Sequence, residues 1–381
     1  ALASEQTLPL HFGPDEKVLW KSAVPAGNSS PVVWQDSVFL TGVNNTHVMV
    51  LCYSRADGGL RWKREYPIPI EQDYFHTDCS PATATSCTNG KQVVSCFESH
   101  GLLAHDFDGN LLWEKPFAGE RLSLGAGSSP IMLDGRIYVL RDYPSSAAVL
   151  CLDSATGEQI WETPRIAMVT SHSTPCLWRH SKGTELVVAG SGTLDGYDPE
   201  NGQHVWRVTN LPILPCPSPT GQGDLLVFGG WTTAHTSGGD RTASAFDDSM
   251  ELTDVEATDA AAFISRFDSN KDGVLRVEEL PASRFRKAFR FVDWDKSGEL
   301  DEREIQSQMD AKPAPGRNVM VAIRAGGTGD ITATHVRWET EKNLPYVASP
   351  LIYRDRVFYV KKGGILTCLD LASGTAQSPR R

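Results

Sequence analysis

Short apolar runs rich in Val, Ile and Leu recur along this chain, separated by turns bearing Gly, Asp and Asn. One unit shows the pattern whole: SSPIML, a DG turn, RIYVLRD, then AAVLCLD, a SATGE turn and QIWETP. Alternation within the runs and tight turns between them predict four short antiparallel strands per unit. Helical periodicities of about 10–15 residues, which parallel β/α folds place between strands, do not separate them.

Two rulers mark the repeat. A tryptophan closes each unit, at Trp20, Trp62, Trp113, Trp161, Trp206 and Trp338, with gaps of 42, 51, 48, 45 and then 132 residues. A proline preceded by Ser or Thr opens each unit, at Pro31, Pro81, Pro130, Pro175, Pro219 and Pro350, with gaps of 50, 49, 45, 44 and then 131. Both stretch at the same place by 87 residues, so a single insertion accounts for both. Four strands in about 45 residues is the blade of a β-propeller.

The segments LCLDSATGEQIW, LDGYDPENGQHVW and LTCLDLASGTA resemble the quinoprotein-type (pyrroloquinoline-quinone-like) repeat, in which an Ala/Cys-x-Asp-x-x-x-Gly-x-x-x-Trp stretch docks one blade on the next. The repeat occurs in quinone-dependent alcohol dehydrogenases and in non-enzymatic propellers similar to outer-membrane assembly lipoprotein B. It implies an all-β fold, a β-propeller of four-stranded blades, and leaves function open. Six repeats are visible; relatives have seven or eight blades. Either the orphan Trp20 strand completes the sixth blade as a clasp, or further blades lie beyond this sequence. The tryptophans are read as packing groups.

The interruption is acidic and helical in pattern. DSNKDGVLRVEE matches the twelve-position EF-hand calcium loop, with Asp268, Asn270, Asp272, the Val274 carbonyl and Glu279 as oxygen ligands and Gly273 at the sharp turn. DWDKSGELDERE matches again, with Asp293, Asp295, Ser297, the Glu299 carbonyl, Asp301 and Glu304, and Gly298 at the turn. Leu275 and Leu300 fill the apolar eighth positions. Arg276 departs from the pattern at the ninth, a vertex a water would take, and Ser297 is a weaker ligand than Asp. Phe285, Phe289 and Val292 form an apolar stripe before the second loop, Ser283 is an N-cap, and Pro281 shortens the exit helix of the first hand. The expected organisation is a propeller over residues 1–235 and 317–381, with an all-α insertion at 236–316 holding the EF-hand pair at 254–311. The insertion replaces the connection between strands two and three of the fifth unit.

Composition narrows the function. The net charge of −11 argues against nucleic acid and anionic membranes as partners. Residues 254–311 carry 14 acidic and 9 basic side chains, so −5 of that charge lies there. No apolar run approaches a membrane span. The opening Ala1-Leu2-Ala3 has the form of a signal-peptidase site, which leads to the expectation of a periplasmic or secreted protein. The eight cysteines form no CxxC; Cys52, Cys151 and Cys368 take equivalent strand positions, as core thiols or, after export, as candidates for an inter-strand disulfide. His76 with Asp78, and His172, sit before first strands near the channel mouth, as rim residues or as a metal or proton site. No GxSxG, HExxH or P-loop is present.

Family dehydrogenases hold their quinone with adjacent cysteines, a calcium bound by propeller residues and a catalytic Asp. This chain has no Cys-Cys pair, so no catalytic residue is carried over and pyrroloquinoline quinone is not an expected cofactor. The expectation is a non-enzymatic, extracytoplasmic binding or scaffolding module with two Ca²⁺ sites and a protein or carbohydrate partner. A quinone-dependent dehydrogenase, or another enzyme using the channel, is the alternative.

Overall fold

In the computed structural model the described residues are 11–68, 79–97, 100–117, 127–142, 147–165, 171–232, 250–293, 297–310 and 316–377. They form six sheets, each ordered as the chain runs and antiparallel apart from one added strand in the fourth. In the third, Ile131–Leu133, Arg136–Arg141, Ala148–Asp153 and Gln159–Pro164 pair in sequence. Asp134 and Gly135, at φ 50° and 80°, make the tight turn between its first two strands. Two successive positive φ values match the right-handed twist of the strands they join. The two middle strands of the blades are buried on both faces, as expected for sheets stacked face to face.

Neighbouring sheets are joined by two repeated contacts. The first is the tryptophan. Trp20, Trp62, Trp113, Trp161 and Trp338 lie on Gly58, Gly109, Gly157, Gly202 and Gly374 of the next sheet, where a Cβ would meet the ring at 2.3–2.8 Å. All five glycines have positive φ, so they also supply the backbone the turn needs. Each indole N–H donates to a carbonyl of that turn: Arg55, Phe107, Ser154, Pro199 and Leu371, at 2.8–3.1 Å. Trp206 breaks the series. It packs on Gly196 of its own sheet and donates to Glu185. The turn it would have met instead contributes Gly329–Asp330, which adds a parallel fifth strand beside His204–Val208.

The second contact is a chain of hydroxyls. Ser30, Thr85, Ser129, Thr174, Ser218 and Ser349 stand one per sheet, just ahead of the first strand. The backbone N–H of each donates to the side-chain oxygen of the next, at 3.0, 2.9, 3.1, 3.0 and 2.9 Å. This chain corrects the sequence ruler at one point. Pro81 does not open the second unit: Thr85 holds the hydroxyl position and Cys87–Thr88 is the first strand. Ser80 instead accepts the Ala82 N–H in an upstream turn.

The clasp expectation is also corrected. The sixth sheet has three strands, Leu351–Tyr353, Arg356–Lys361 and Ile365–Asp370. The Trp20 segment docks on the first sheet's turn, yet among the described residues it forms no ladder with Ile365–Asp370. No disulfide joins the cysteines. Burial pushes the Cys87 thiol up to about 12 and those of Cys151, Cys176 and Cys216 up to about 11, which keeps them protonated and unreactive. No helix among the described residues is long and apolar enough to cross a membrane.

A buried ionic knot ties the third sheet to the fourth. Arg165, whose side chain is 1% exposed, reaches Asp142 at 2.8 Å, Tyr197 Oη at 2.8 Å and Asp195 at 3.5 Å. Asp195 also accepts from Arg207 at 2.6 Å and Thr193 at 3.1 Å, and pairs with His204 at 2.9 Å.

The fifth sheet carries the insertion. Leu225–Gly230 pairs with Val319–Arg324, so residues 231–318 form one connection. Its ends are held together by Asn318, which accepts the Thr232 N–H at 2.8 Å and donates to the Thr232 carbonyl at 3.1 Å. Three helices follow within it: α1 (Ala260–Phe267), α2 (Arg284–Val292) and α3 (Glu302–Asp310). Asp259 caps α1 and Ser283 caps α2, each accepting an N–H three residues on, at 2.9 and 3.1 Å. Their apolar faces, with Phe263, Leu275, Phe285, Phe289, Leu300 and Ile305, form a core that shares no residue with the sheet cores.

Two predictions follow from the buried charges. Replacing Arg165 by Met strands the buried Asp142 without its ion-pair partner, while Asp195 keeps Arg207 and His204, and should destabilise the protein by about 3–5 kcal/mol, read as a fall in the urea midpoint. An unchanged midpoint would refute a structural role for the knot. His105 is buried, shares a 2.6 Å hydrogen bond with Tyr66 through Nε2, and has no hydrogen-bond partner at Nδ1 among the described residues. Burial lowers it from 6.5 to about 4. The unfolded chain therefore takes up the proton first as pH falls, and folding stability drops between about pH 6.5 and 4, by up to about 3 kcal/mol. Asp142, pushed by burial to about 6 against the pull of Arg165, works in the opposite sense, so the comparison must be with a variant. His105→Gln should remove the His105 slope from stability curves measured across that window.

Candidate functional site

The insertion's two loops follow α1 and α2. Asp268 ends α1, its N–H bonded back to the Ile264 carbonyl at 2.8 Å. Its carboxylate gathers the N–H groups of Lys271, Asp272 and Gly273 at 2.7, 3.3 and 2.8 Å. Asn270 accepts the Asp272 N–H at 2.9 Å, and Asp272 that of Val274 at 3.2 Å. Gly273 stands at φ 87°, where a side chain would be strained. Glu279, the last residue of the loop, folds back over it. One oxygen accepts from the Ser269 N–H at 3.1 Å and hydroxyl at 2.9 Å, the other from the Arg276 N–H at 2.9 Å. The Arg276 N–H leads the contacts that hold the Glu279 carboxyl below its ordinary range.

In the second loop Asp293 ends α2 and accepts the Gly298 N–H at 3.0 Å. The Ser297 hydroxyl donates to the Glu299 carbonyl at 2.9 Å, which brings those two oxygens side by side. Gly298 stands at φ 82°. Asp301 and Glu304 form a reciprocal capping box, each carboxylate accepting the other's N–H at 3.0 Å, and Glu304 is 1% exposed. Asp295 lies outside the described residues. Leu275 and Leu300 exchange backbone hydrogen bonds at 3.0 and 2.8 Å, joining the loops as a two-residue sheet. No helix follows the first loop: the chain turns at 277–280 and Pro281 ends it.

Among the described residues no three His, Cys, Asp or Glu side chains converge as a metal cluster. One residue of the first loop has partners the sequence did not reveal. The Arg276 guanidinium is paired with Asp272 in its own loop and with Glu299 in the other. Its hydrogen bond holds the Asp272 carboxyl below its ordinary range.

An open depression of about 440 Å³ is lined by Ser30, Thr85, Ser129 and Thr174 of the hydroxyl chain, with Ser86, Cys87, Pro130, Ile131 and Met132. None of these residues is charged, and the Thr85, Ser129 and Thr174 hydroxyls already accept a neighbouring N–H. His172 packs on Gly127 beside this region, and burial lowers its pKa. His76 and Asp78 lie outside the described residues. The SP and TP pairs were the sequence signal for the hydroxyl chain, recognised there only as strand openers.

The family model for the outer membrane protein assembly factor BamB matches residues 50–212 and 90–327. No curated protein matches the chain. Among solved structures, BamB from Moraxella catarrhalis is similar, with 13% identity and a TM-score of 0.54 over 94% of this chain and 76% of that one. The quinohemoprotein alcohol dehydrogenase of Comamonas testosteroni shows 11% identity and a TM-score of 0.44 over 92% of this chain and 66% of its own. A europium-containing methanol dehydrogenase shows 12% identity and a TM-score of 0.36 over 50% and 42%. The repeated sheets, their tryptophan docking and a family match running from residue 50 to 327 agree: the chain belongs to the outer membrane protein assembly factor BamB family.

Proposed function

We propose that this protein is a calcium-binding, non-enzymatic β-propeller that acts outside the cytoplasm as a protein-binding or scaffolding module. The observation that carries the calcium reading is the pair of loops. Each has its glycine in the left-handed region, its closing glutamate folded back on the loop, and its eighth residue bonded to the other's. Those features support a paired EF-hand, whose oxygen donors suit a hard cation. The ligands would be Asp268, Asn270, Asp272, the Val274 carbonyl and Glu279 in one loop. In the other they would be Asp293, Asp295, Ser297, the Glu299 carbonyl, Asp301 and Glu304. Bound calcium would relieve the repulsion within residues 254–311, whose net charge is −5. Membership of a family described as outer membrane assembly factors supports a protein partner and an extracytoplasmic site.

Calorimetric titration should find two Ca²⁺ per chain. Glu279→Gln and Glu304→Gln should each abolish one site, since the twelfth position supplies a bidentate carboxylate. A wild-type chain that takes up no calcium would refute the reading. Hydrogen exchange with calcium and with chelator provides a second check. Protection should change within residues 254–310 and leave strands such as Ala148–Asp153 unaffected, because binding stabilises the unit that binds. Loosening of all six sheets on chelation would refute separate modules. Adding pyrroloquinoline quinone should produce neither tight binding nor dye reduction with alcohols.

A further inference from the structure

We propose that Arg276 is a built-in competitor for the first calcium loop: its guanidinium holds the Asp272 carboxylate that the cation needs, and calcium enters only by displacing it toward Glu299 of the second loop. This rests on the calcium reading and adds an order of affinity to it.

The geometry is specific to one loop. Arg276 occupies the ninth position, where the second loop has Asp301. Asp301 contributes a carboxylate and closes a reciprocal cap with Glu304. Arg276 meets Glu279 through its backbone alone, its N–H donating to the carboxylate and its carbonyl accepting the Glu279 N–H, and its side chain turns across the Leu275–Leu300 bridge. There one guanidinium nitrogen meets Asp272 and the other meets Glu299. The position is half-exposed, at 37% for Arg276, 36% for Asp272 and 39% for Glu299, so the pairing is weak enough to be exchanged.

Charge counting points the same way. The first loop offers Asp268, Asp272 and Glu279, with Arg276 against them; the second offers Asp293, Asp295, Asp301 and Glu304 with no basic side chain at its ninth position. Ligand charge is a main determinant of affinity in such loops, so the first is the weaker site. Glu299 would contribute its carbonyl, not its side chain, to the second loop. That carboxylate already meets the guanidinium and can keep it while the second site is filled. Arg276 thus has a partner to yield in one loop and a partner to keep in the other.

The test is calcium titration of the full chain in the Glu304→Gln background, which isolates the first loop. Arg276→Ala should tighten that site roughly tenfold, the effect in water of removing a unit charge about 6 Å from a divalent ion. Arg276→Asp should tighten it further, and Arg276→Lys should leave it near its starting affinity. Adding Asp272→Asn should shrink the gain from Arg276→Ala, because the competed carboxylate is gone. Far-UV circular dichroism of each variant verifies that the helices persist. Unchanged or weakened binding in a folded Arg276→Ala variant overturns the inference while leaving the calcium reading standing. Absence of calcium binding at both loops of the wild-type chain overturns both.

Discussion

An indole ring resting on a glycine turn is the contact on which this architecture depends. The glycine is needed twice: a Cβ would occupy the ring's space, and the backbone stands at a φ that side chains resist. The ring in turn covers the edge of the next sheet and saturates one of its turn carbonyls. A sheet without that neighbour would expose a buried-type surface on both faces, which is why no blade is a stable unit alone. Where the contact is lost, at Trp206, the structure replaces it with a parallel strand pairing, so the junction is still sealed by backbone bonds.

The insertion sits where this scheme tolerates it. Strands two and three of the fifth blade end at the same end of the sheet as the connections between blades, away from the tryptophan turns. Asn318 closes the neck by bonding Thr232 in both directions, so the sheet below experiences an ordinary short connection. Lengthening a loop raises its closure entropy slowly, by about 0.6 kcal/mol per doubling. The helical unit then meets its own demands with its own apolar core, and its acidic loops face none of the sheet cores.

Much of the blade plan was legible because it is written in residues with one dominant use. Trp and Gly at fixed spacing announce docking, and apolar alternation announces strands. The second blade was misread by a few residues because Ser80-Pro81 imitates the opening pair. What distinguishes Thr85 is a hydroxyl aimed at the neighbouring blade, a relation between distant residues that a linear pattern does not carry. Trp206 looked like its fellows for the same reason. In the helical unit the glycines, closing glutamates and bridge leucines were readable from position alone. Arg276 was visible only as a departure from the motif, since its partner Glu299 is 23 residues away and belongs to the other loop.

The hydroxyl chain has a consequence for how such a protein can change over generations. Each boundary presents the same donor, a backbone N–H, to the same acceptor, a serine or threonine oxygen. A gene duplication or deletion that adds or removes one whole blade therefore recreates the junction it interrupts and strands no polar group. Substitution is less forgiving than recombination at these positions. Serine and threonine exchange freely, as the alternation from Ser30 to Thr85 to Ser129 already displays, but a residue without a hydroxyl would leave its neighbour's N–H unanswered between blades. The unit of variation built into this chain is thus the blade and not the residue.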